Sequence, residues 1–561
     1  MRPRHPYAVA AIWCVAFVAL VPALRAQEVI TPRHTGVPQD WSQRNVVFSR
    51  KGLAEHPDVM NREVRVLHQA MQRWAVPEFG VFKTANPLPI PPRKSIIRRD
   101  WNVSMGGRLV PNAFPAKFSI DPSAPPDCVN DYAVFGLGVP GTPGSAVAPA
   151  NLVAFNNLYS GTNPTGLCGL PLPTVLFAYN ITTVTGGRIR TSPILSLDGT
   201  KIAFVESIPA NASLGITAQA IFHVLTWAAG GTISNPVVPS MISLPLISSP
   251  MAPTANDFTS SPFIDYGADT VYVGTDDGLV YKITGVFNGV PTLATDVWPV
   301  LLTPGHLTPP VLDSVRGQLM VGAVNGNLYK INTSTGKSET VVVGTGFSSG
   351  IVAPPIVDVT NGTTFVITAD DGVSGAVLAE VDTATMGIIS TAHIGVGAFG
   401  GSTAINLYQP AFDHNYYNDP STGHIHTCGT GSADTSPWHY SFGFTGHTMQ
   451  TSGTSQQLLA STAARCTGWT EFFNPSAGTT GSDFFFFGLT QDCFPPNTGT
   501  AFGCLEVLSS DPTIPAAFAQ LTTGPRGIVI DNNSAAPQAS SIYTTAGGLN
   551  TAYKFTQNGL Q

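Results

Sequence analysis

Five proline-led phrases recur at matching points along this 561-residue chain, and they restrict the fold more than any other feature. Ser192-Pro193-Ile194-Leu195, Ser261-Pro262-Phe263-Ile264, Pro309-Pro310-Val311-Leu312, Pro354-Pro355-Ile356-Val357 and Gln409-Pro410-Ala411-Phe412 each open a segment of about 45 to 70 residues. An alternating apolar run follows each of three of them, as in Thr270–Gly274, Gln318–Gly322 and Thr364–Thr368. A hairpin signal comes next, at Asp277-Gly278, Asn325-Gly326 and Asp371-Gly372. A second run then carries Tyr281-Lys282-Ile283 or Tyr329-Lys330-Ile331, echoed near the C-terminus by Tyr553-Lys554-Phe555. Strands of about five residues, tight turns and a period near 45 describe the blades of an all-β propeller.

Eight blades are expected over residues 96–561, with seven as the alternative if the irregular region at 404–510 forms one elaborated blade. The last blade, from Arg526 onward, offers only three strands. The segment around Trp101-Asn102-Val103-Ser104 is the most economical source of the fourth, because it would join the two chain ends and remove an exposed edge.

The first 26 residues carry Arg2 and Arg4, an apolar stretch from Ala8 to Val21, and Ala23-Leu24-Arg25-Ala26. This pattern predicts a secretory signal peptide over 1–26 and an exported protein, periplasmic or extracellular, with no membrane span after its removal. Trp13 before Cys14 argues against a lipid-anchored cysteine. Six cysteines then remain: Cys128, Cys168, Cys428, Cys466, Cys493 and Cys504. An even count in an exported chain predicts three disulfides, and of the 15 pairings neighbour with neighbour is expected, with one pair left reduced as the alternative.

Only 11% of residues are charged while 43% are hydrophobic, which suits a folded β-protein and excludes a disordered chain. Residues 27–110 hold 13 Lys and Arg against 7 Asp and Glu, a balance of +6, whereas 111–561 hold 11 against 27, a balance of −16. An acidic body repels phosphate backbones, so nucleic acid is excluded as a partner of the main domain.

Residues 27–95 do not fit the repeat and read as an N-terminal arm. Met60, Val64, Leu67, Met71 and Trp74 step by four, three, four and three, the apolar stripe of a helix between Asp58 and Ala75. This helix is expected to cover one face of the propeller, with Arg62, Arg65 and Arg73 toward the acidic body or solvent; the alternative is a docking helix for a partner. Pro87-Leu88-Pro89-Ile90-Pro91-Pro92 follows as an extended linker.

The run Val271-Tyr272-Val273-Gly274-Thr275-Asp276-Asp277-Gly278-Leu279-Val280-Tyr281-Lys282-Ile283, after its Pro-apolar-apolar-Asp phrase, resembles the quinoprotein-dehydrogenase-like propellers with PQQ-type repeats. The resemblance covers about 190 to 390 well and implies the fold; its members include quinone-dependent dehydrogenases and non-enzymatic scaffolds. The dehydrogenases carry adjacent disulfide-linked cysteines and a Gly and Trp docking signature. Here no two cysteines are adjacent and the corresponding strands end in Ile283, Ile331 and Val381, so no quinone cofactor is expected. Cys128-Val129-Asn130-Asp131 and the segment 151–159 are similar to an uncharacterised family of exported bacterial proteins.

His414, His424, His426, His439 and His447 fall within 34 residues. On a strand His424 and His426 project from one face, a workable pair of metal ligands with His439 or Asp413 as a third; a polar insertion loop would look the same. Asp265, Asp313, Asp358 and Asp413 share one repeat position and are expected to cap turns. Phe484-Phe485-Phe486-Phe487 reads as a strand buried on both faces. No Gly-x-Ser-x-Gly elbow, His-Glu-x-x-His helix or phosphate loop is present. The expectation is a non-enzymatic, monomeric scaffold for a protein or glycan partner. The alternative is a periplasmic enzyme, either a quinone-dependent dehydrogenase or a metal-assisted hydrolase using the clustered histidines.

Overall fold

The computed structural model describes residues 36–557 apart from 60–62, 74–96, 112, 121–124, 148, 163–164, 247–259, 346–349, 400–404, 476, 478–480, 494–501, 512–515, 533–537 and 548. The expected signal peptide, the proline-rich linker, Met60, Arg62 and Trp74 lie outside these residues, as does the Met71 side chain.

Each proline phrase leads into a short innermost strand, and the chain then meanders outward through antiparallel neighbours. Blade four shows the pattern plainly: Val311–Asp313, Gln318–Gly322, Asn327–Asn332 and Ser338–Val342, in that order. Burial falls from the first strand to the last because the innermost strand packs toward the filled axis whereas the outermost faces solvent. Eight such sheets of four or five strands make an eight-bladed propeller. The hairpin glycines Gly278 and Gly326 sit at φ 84° and 83°, left-handed conformations that side-chain-bearing residues rarely adopt. Asp265, Asp313 and Asp358 each accept two backbone N–H groups in the turn that follows, and Asp413 caps the short helix His414–Asn418.

The ring closes as the strand deficit predicts. Ile97–Ser104 pairs antiparallel with Thr551–Gln557, placing Trp101 opposite Lys554 and Ser104 opposite Thr551. Asp100 anchors this joint from a fully buried position, accepting from Lys554 Nζ and Thr556 Oγ1, both at 2.5 Å. Thr454–Gln457 pairs with Pro437–Thr445, so blade six extends to 457. Blade seven runs from Thr470 to Leu521, past the irregular region expected to end at 510, because the weakly patterned strand Ala517–Leu521 completes it.

Every residue of Ser482–Leu489 is buried. Phe484 and Phe486 join the core shared with blade eight, while Phe485 and Phe487 join the core that holds Trp469 and Cys428 of the blade-six side. A period of two thus sends successive phenylalanines into two different interfaces.

The arm departs from expectation. Val37–Gln39 adds antiparallel to the inner strand of blade one, and Val46–Val47 adds parallel to the inner strand of blade five, across the ring. The 3-10 turn Trp41–Arg44 spans the axis between them, and the helices Arg50–Glu55 and Val64–Arg73 follow. The arm therefore threads the centre of the ring and does not lie on one face. In Val64–Arg73 the buried positions are Arg65, Val66, His68, Gln69, Ala70 and Arg73, while Val64 and Leu67 are only half-buried. The buried face is a mixed polar one, because the inner strands present carbonyls and carboxylates to the axis.

Candidate functional site

The arm's polar side chains line the axis of the ring. Trp41 lies edge-on to Phe263 and donates its ring N–H to the Pro262 carbonyl at 3.0 Å. Asn45 donates to the carbonyls of Pro354 and Pro355. Arg44 reaches Thr470 and the Ile528 carbonyl. Arg65 is fully buried, paired with Glu63 at 2.9 Å, bonded to Ser42 and the Ile264 carbonyl, and held over the Phe263 ring. Burial works against its charge and Glu63 and Asp40 favour it, with a net upward shift. The repeated proline phrases thus supply fixed carbonyls, and the arm supplies the donors that satisfy them.

Arg73 closes the far end of the helix. It pairs with Glu471 of blade seven and sits 3.5 Å over the Tyr417 ring. Behind Glu471 stands Asp483, whose carboxyl is pushed up to about 9, first by burial and then by the negative charge of Glu471 beside it. Two carboxyls on one guanidinium therefore carry a proton at neutral pH.

The arm leaves a cavity of about 70 Å³ between Gln43, His68, Gln72, Arg73 and the inner strands of blades six to eight. Ligand pockets typically occupy about 300 Å³ or more.

The four candidate metal ligands of blade six fall into two pairs. Asp413 accepts the His424 backbone N–H at 2.9 Å, and its second oxygen faces His424 Nδ1 at 3.3 Å, which raises the imidazole's pKa. His426 and His439, diagonal neighbours on paired strands, bring Nδ1 and Nε2 to 3.0 Å. His426 packs on Phe485 and His439 stacks on Trp469. Burial lowers His439 to about 4 and drives His426 well below the usual value, so both are neutral at pH 7 and one donates to the other. The His424 and His426 ring centres are 6.1 Å apart. His414 takes no part: it stacks flat on Phe473.

Cysteines pair neighbour with neighbour: Cys128–Cys168, Cys428–Cys466 and Cys493–Cys504. The first of these staples a loop whose apolar side chains face solvent. Val129, Leu167, Leu170 and Leu172 are 67%, 43%, 39% and 48% exposed. Backbone bonds hold the loop in shape, with Asn157 N donating to Cys128 O, Cys168 N to Tyr159 O and Gly161 N to Leu170 O. Asp127 and Asp131 lie beside the disulfide, and no Lys or Arg occurs between Lys117 and Arg188. Neither this patch nor the axial role of Arg44, Arg65 and Arg73 was anticipated. The run without Lys or Arg around Cys128 was the available signal for the first, and nothing local marks the second.

No protein-family model matches the chain, and no curated protein matches it. Among solved structures it is similar to BamB from Moraxella catarrhalis, at 12% identity and TM-score 0.44 over 82% of this chain and 100% of that one. The Dos1 propeller is similar at 9% identity and TM-score 0.46, over 82% and 95%. A chain of the Mitotic Checkpoint Complex matches at 11% identity and TM-score 0.35, over 63% and 86%. These likenesses concern the fold.

Proposed function

We propose that this protein is an exported, non-enzymatic propeller that docks a protein partner on the disulfide-stapled loop of blade one. The observation that carries the reading is the exposure of Val129, Leu167, Leu170 and Leu172 on a loop that is itself rigidly bonded. Apolar side chains held in water by a fixed backbone bind without an ordering cost, which is how docking surfaces gain affinity. The surrounding acidic, lysine-free surface selects a partner with an apolar centre and a basic rim. Three disulfides are consistent with an oxidising compartment.

The test is cross-linking of the mature protein in cell-envelope extract, beside Val129→Asp and Leu172→Asp variants of unchanged melting temperature. A partner lost in both variants, with binding that weakens as salt rises, supports the reading. Capture that ignores both substitutions refutes it.

A second reading keeps a metal at blade six, as in a metal-assisted hydrolase. It is favoured by one distance: His426 Nδ1 and His439 Nε2, 3.0 Å apart, match two nitrogens sharing one ion at about 2.1 Å. Zinc or copper titration followed by calorimetry reads it directly, and binding equal in wild type and His426→Gln would remove it.

A further inference from the structure

A second cavity, of about 210 Å³, opens where the chain enters the inner strands of blades one, six, seven and eight. Its walls include Phe114, Tyr408, Arg465, Thr467, Thr490 and Arg526. Arg465 and Arg526 both line it, in a body whose charge balance is −16.

Among the described residues neither cation forms an ion pair with an acid. Among the described residues, Arg526 donates through Nη2 to the Gly547 carbonyl at 2.7 Å, and its buried Nε has no partner. Arg465 donates to the carbonyls of Thr435, Thr462 and Ala464. Burial lowers both pKa values, and at Arg526 the neighbouring Arg108 adds to the fall. By contrast Lys117 pairs with Asp131 and Asp531, Lys554 with Asp100, and Arg73 with Glu471.

The hydroxyls point the same way. Thr467 Oγ1 accepts from Gly488 N and Thr490 Oγ1 accepts from Arg465 N, each at 2.9 Å, which leaves their protons to donate. The cavity is thus well supplied with donors. Buried donors without acceptors carry a cost that an anionic ligand removes. Phe114 and Pro525 add apolar walls, which suit carbon more than a fully hydrated inorganic ion. Space for about seven waters at about 30 Å³ each is room for an acid of a few carbons. Arg465, Thr467 and Arg526 are half-buried, so a solute can reach them.

We infer that this axial mouth binds a small organic carboxylate, with Arg465 and Arg526 as its charge partners and Thr467 and Thr490 as hydrogen-bond donors. The site is separate from the blade-one docking loop, and neither depends on the other.

Calorimetry of the mature protein with succinate, inorganic phosphate and ionic-strength-matched chloride tests this. Saturable succinate binding is expected, weakened at least tenfold in Arg526→Gln and in Arg465→Gln, and less in Arg526→Lys. On the unaltered protein, succinate should slow phenylglyoxal modification of Arg526, read by peptide mass spectrometry. Absence of saturable succinate binding, modification of Arg526 at the same rate with and without succinate, or saturable binding of phosphate but not of succinate would each overturn the inference.

Discussion

Val46 runs parallel to Val357, the only parallel strand pairing among the described blades, with Val357 N donating to the Asn45 carbonyl at 2.8 Å. Nine residues earlier Val37 pairs antiparallel with Ser119 in the blade opposite. One short segment thus ties two sides of the ring through its centre. An all-β ring of eight sheets would otherwise leave a wide axial gap, and Trp41, Val46, Phe48, Leu53 and Val66 fill it as part of the largest core cluster.

Breaking the arm's buried charge should therefore cost much more than an exposed pair would. Arg65→Ala strands Glu63 and the Ile264 carbonyl in the interior, and a loss of about 3 to 5 kcal/mol is expected. Arg50→Ala, at an exposed position of the preceding helix, should stay within about 0.5 kcal/mol. Urea denaturation of both variants checks the contrast.

Asp483 sets a stability slope on the alkaline side. Its folded pKa of about 9 lies above the ordinary value of 3.8, so the folded state holds the extra proton between them. Stability from this group is complete below about pH 4 and falls as pH rises toward 9. Asp483→Asn keeps an acceptor for the His414 N–H and removes the titration. The variant should match wild type near pH 5 and exceed it by about 1 to 3 kcal/mol at pH 9. Denaturation midpoints at the two pH values measure this.

His439 acts in the opposite sense. With a folded pKa of about 4 against 6.5, the folded state holds fewer protons in that window, so its contribution is present above pH 6.5 and lost on acidification toward 4. His439→Gln should flatten the acid limb of the stability profile. A melting curve that drops equally in both proteins between pH 6.5 and 4.5 would assign the acid loss to other groups.

The Cys128–Cys168 staple of the blade-one loop closes 40 residues. Replacing Cys128 and Cys168 with serine should cost about 2 to 4 kcal/mol, and should raise amide exchange in residues 157–172 above that of blade four. Unchanged exchange there would mean that the backbone bonds alone keep the apolar side chains in place.

Much of the ring was readable from residues alone. Proline phrases, two-residue hairpin signals and the three-strand deficit after Arg526 are local or nearly local features, and they carried the blade count, the closure at Trp101 and the burial of Phe484–Phe487. Neighbour pairing of the cysteines followed because a short loop brings its own ends together easily. The histidines were found as a cluster, but which of them would meet depended on strand register: His439 stands opposite Cys428, so its ring reaches His426 and leaves His424 to Asp413.

The arm shows where such reading stops. An apolar stripe reports only that some helical face is covered, and Val64 and Leu67 gave no hint that the polar side of the same helix would be the deeper one. Arg65 is buried because Ile264 offers a carbonyl 199 residues away, and Arg73 because Glu471 lies 398 residues away. Arg465 and Arg526 likewise come to line one cavity only when blades seven and eight converge. Pattern along the chain carries backbone geometry, since that is decided by neighbours within a few residues; the pairing of buried charges is decided by whatever the closed ring brings to its axis.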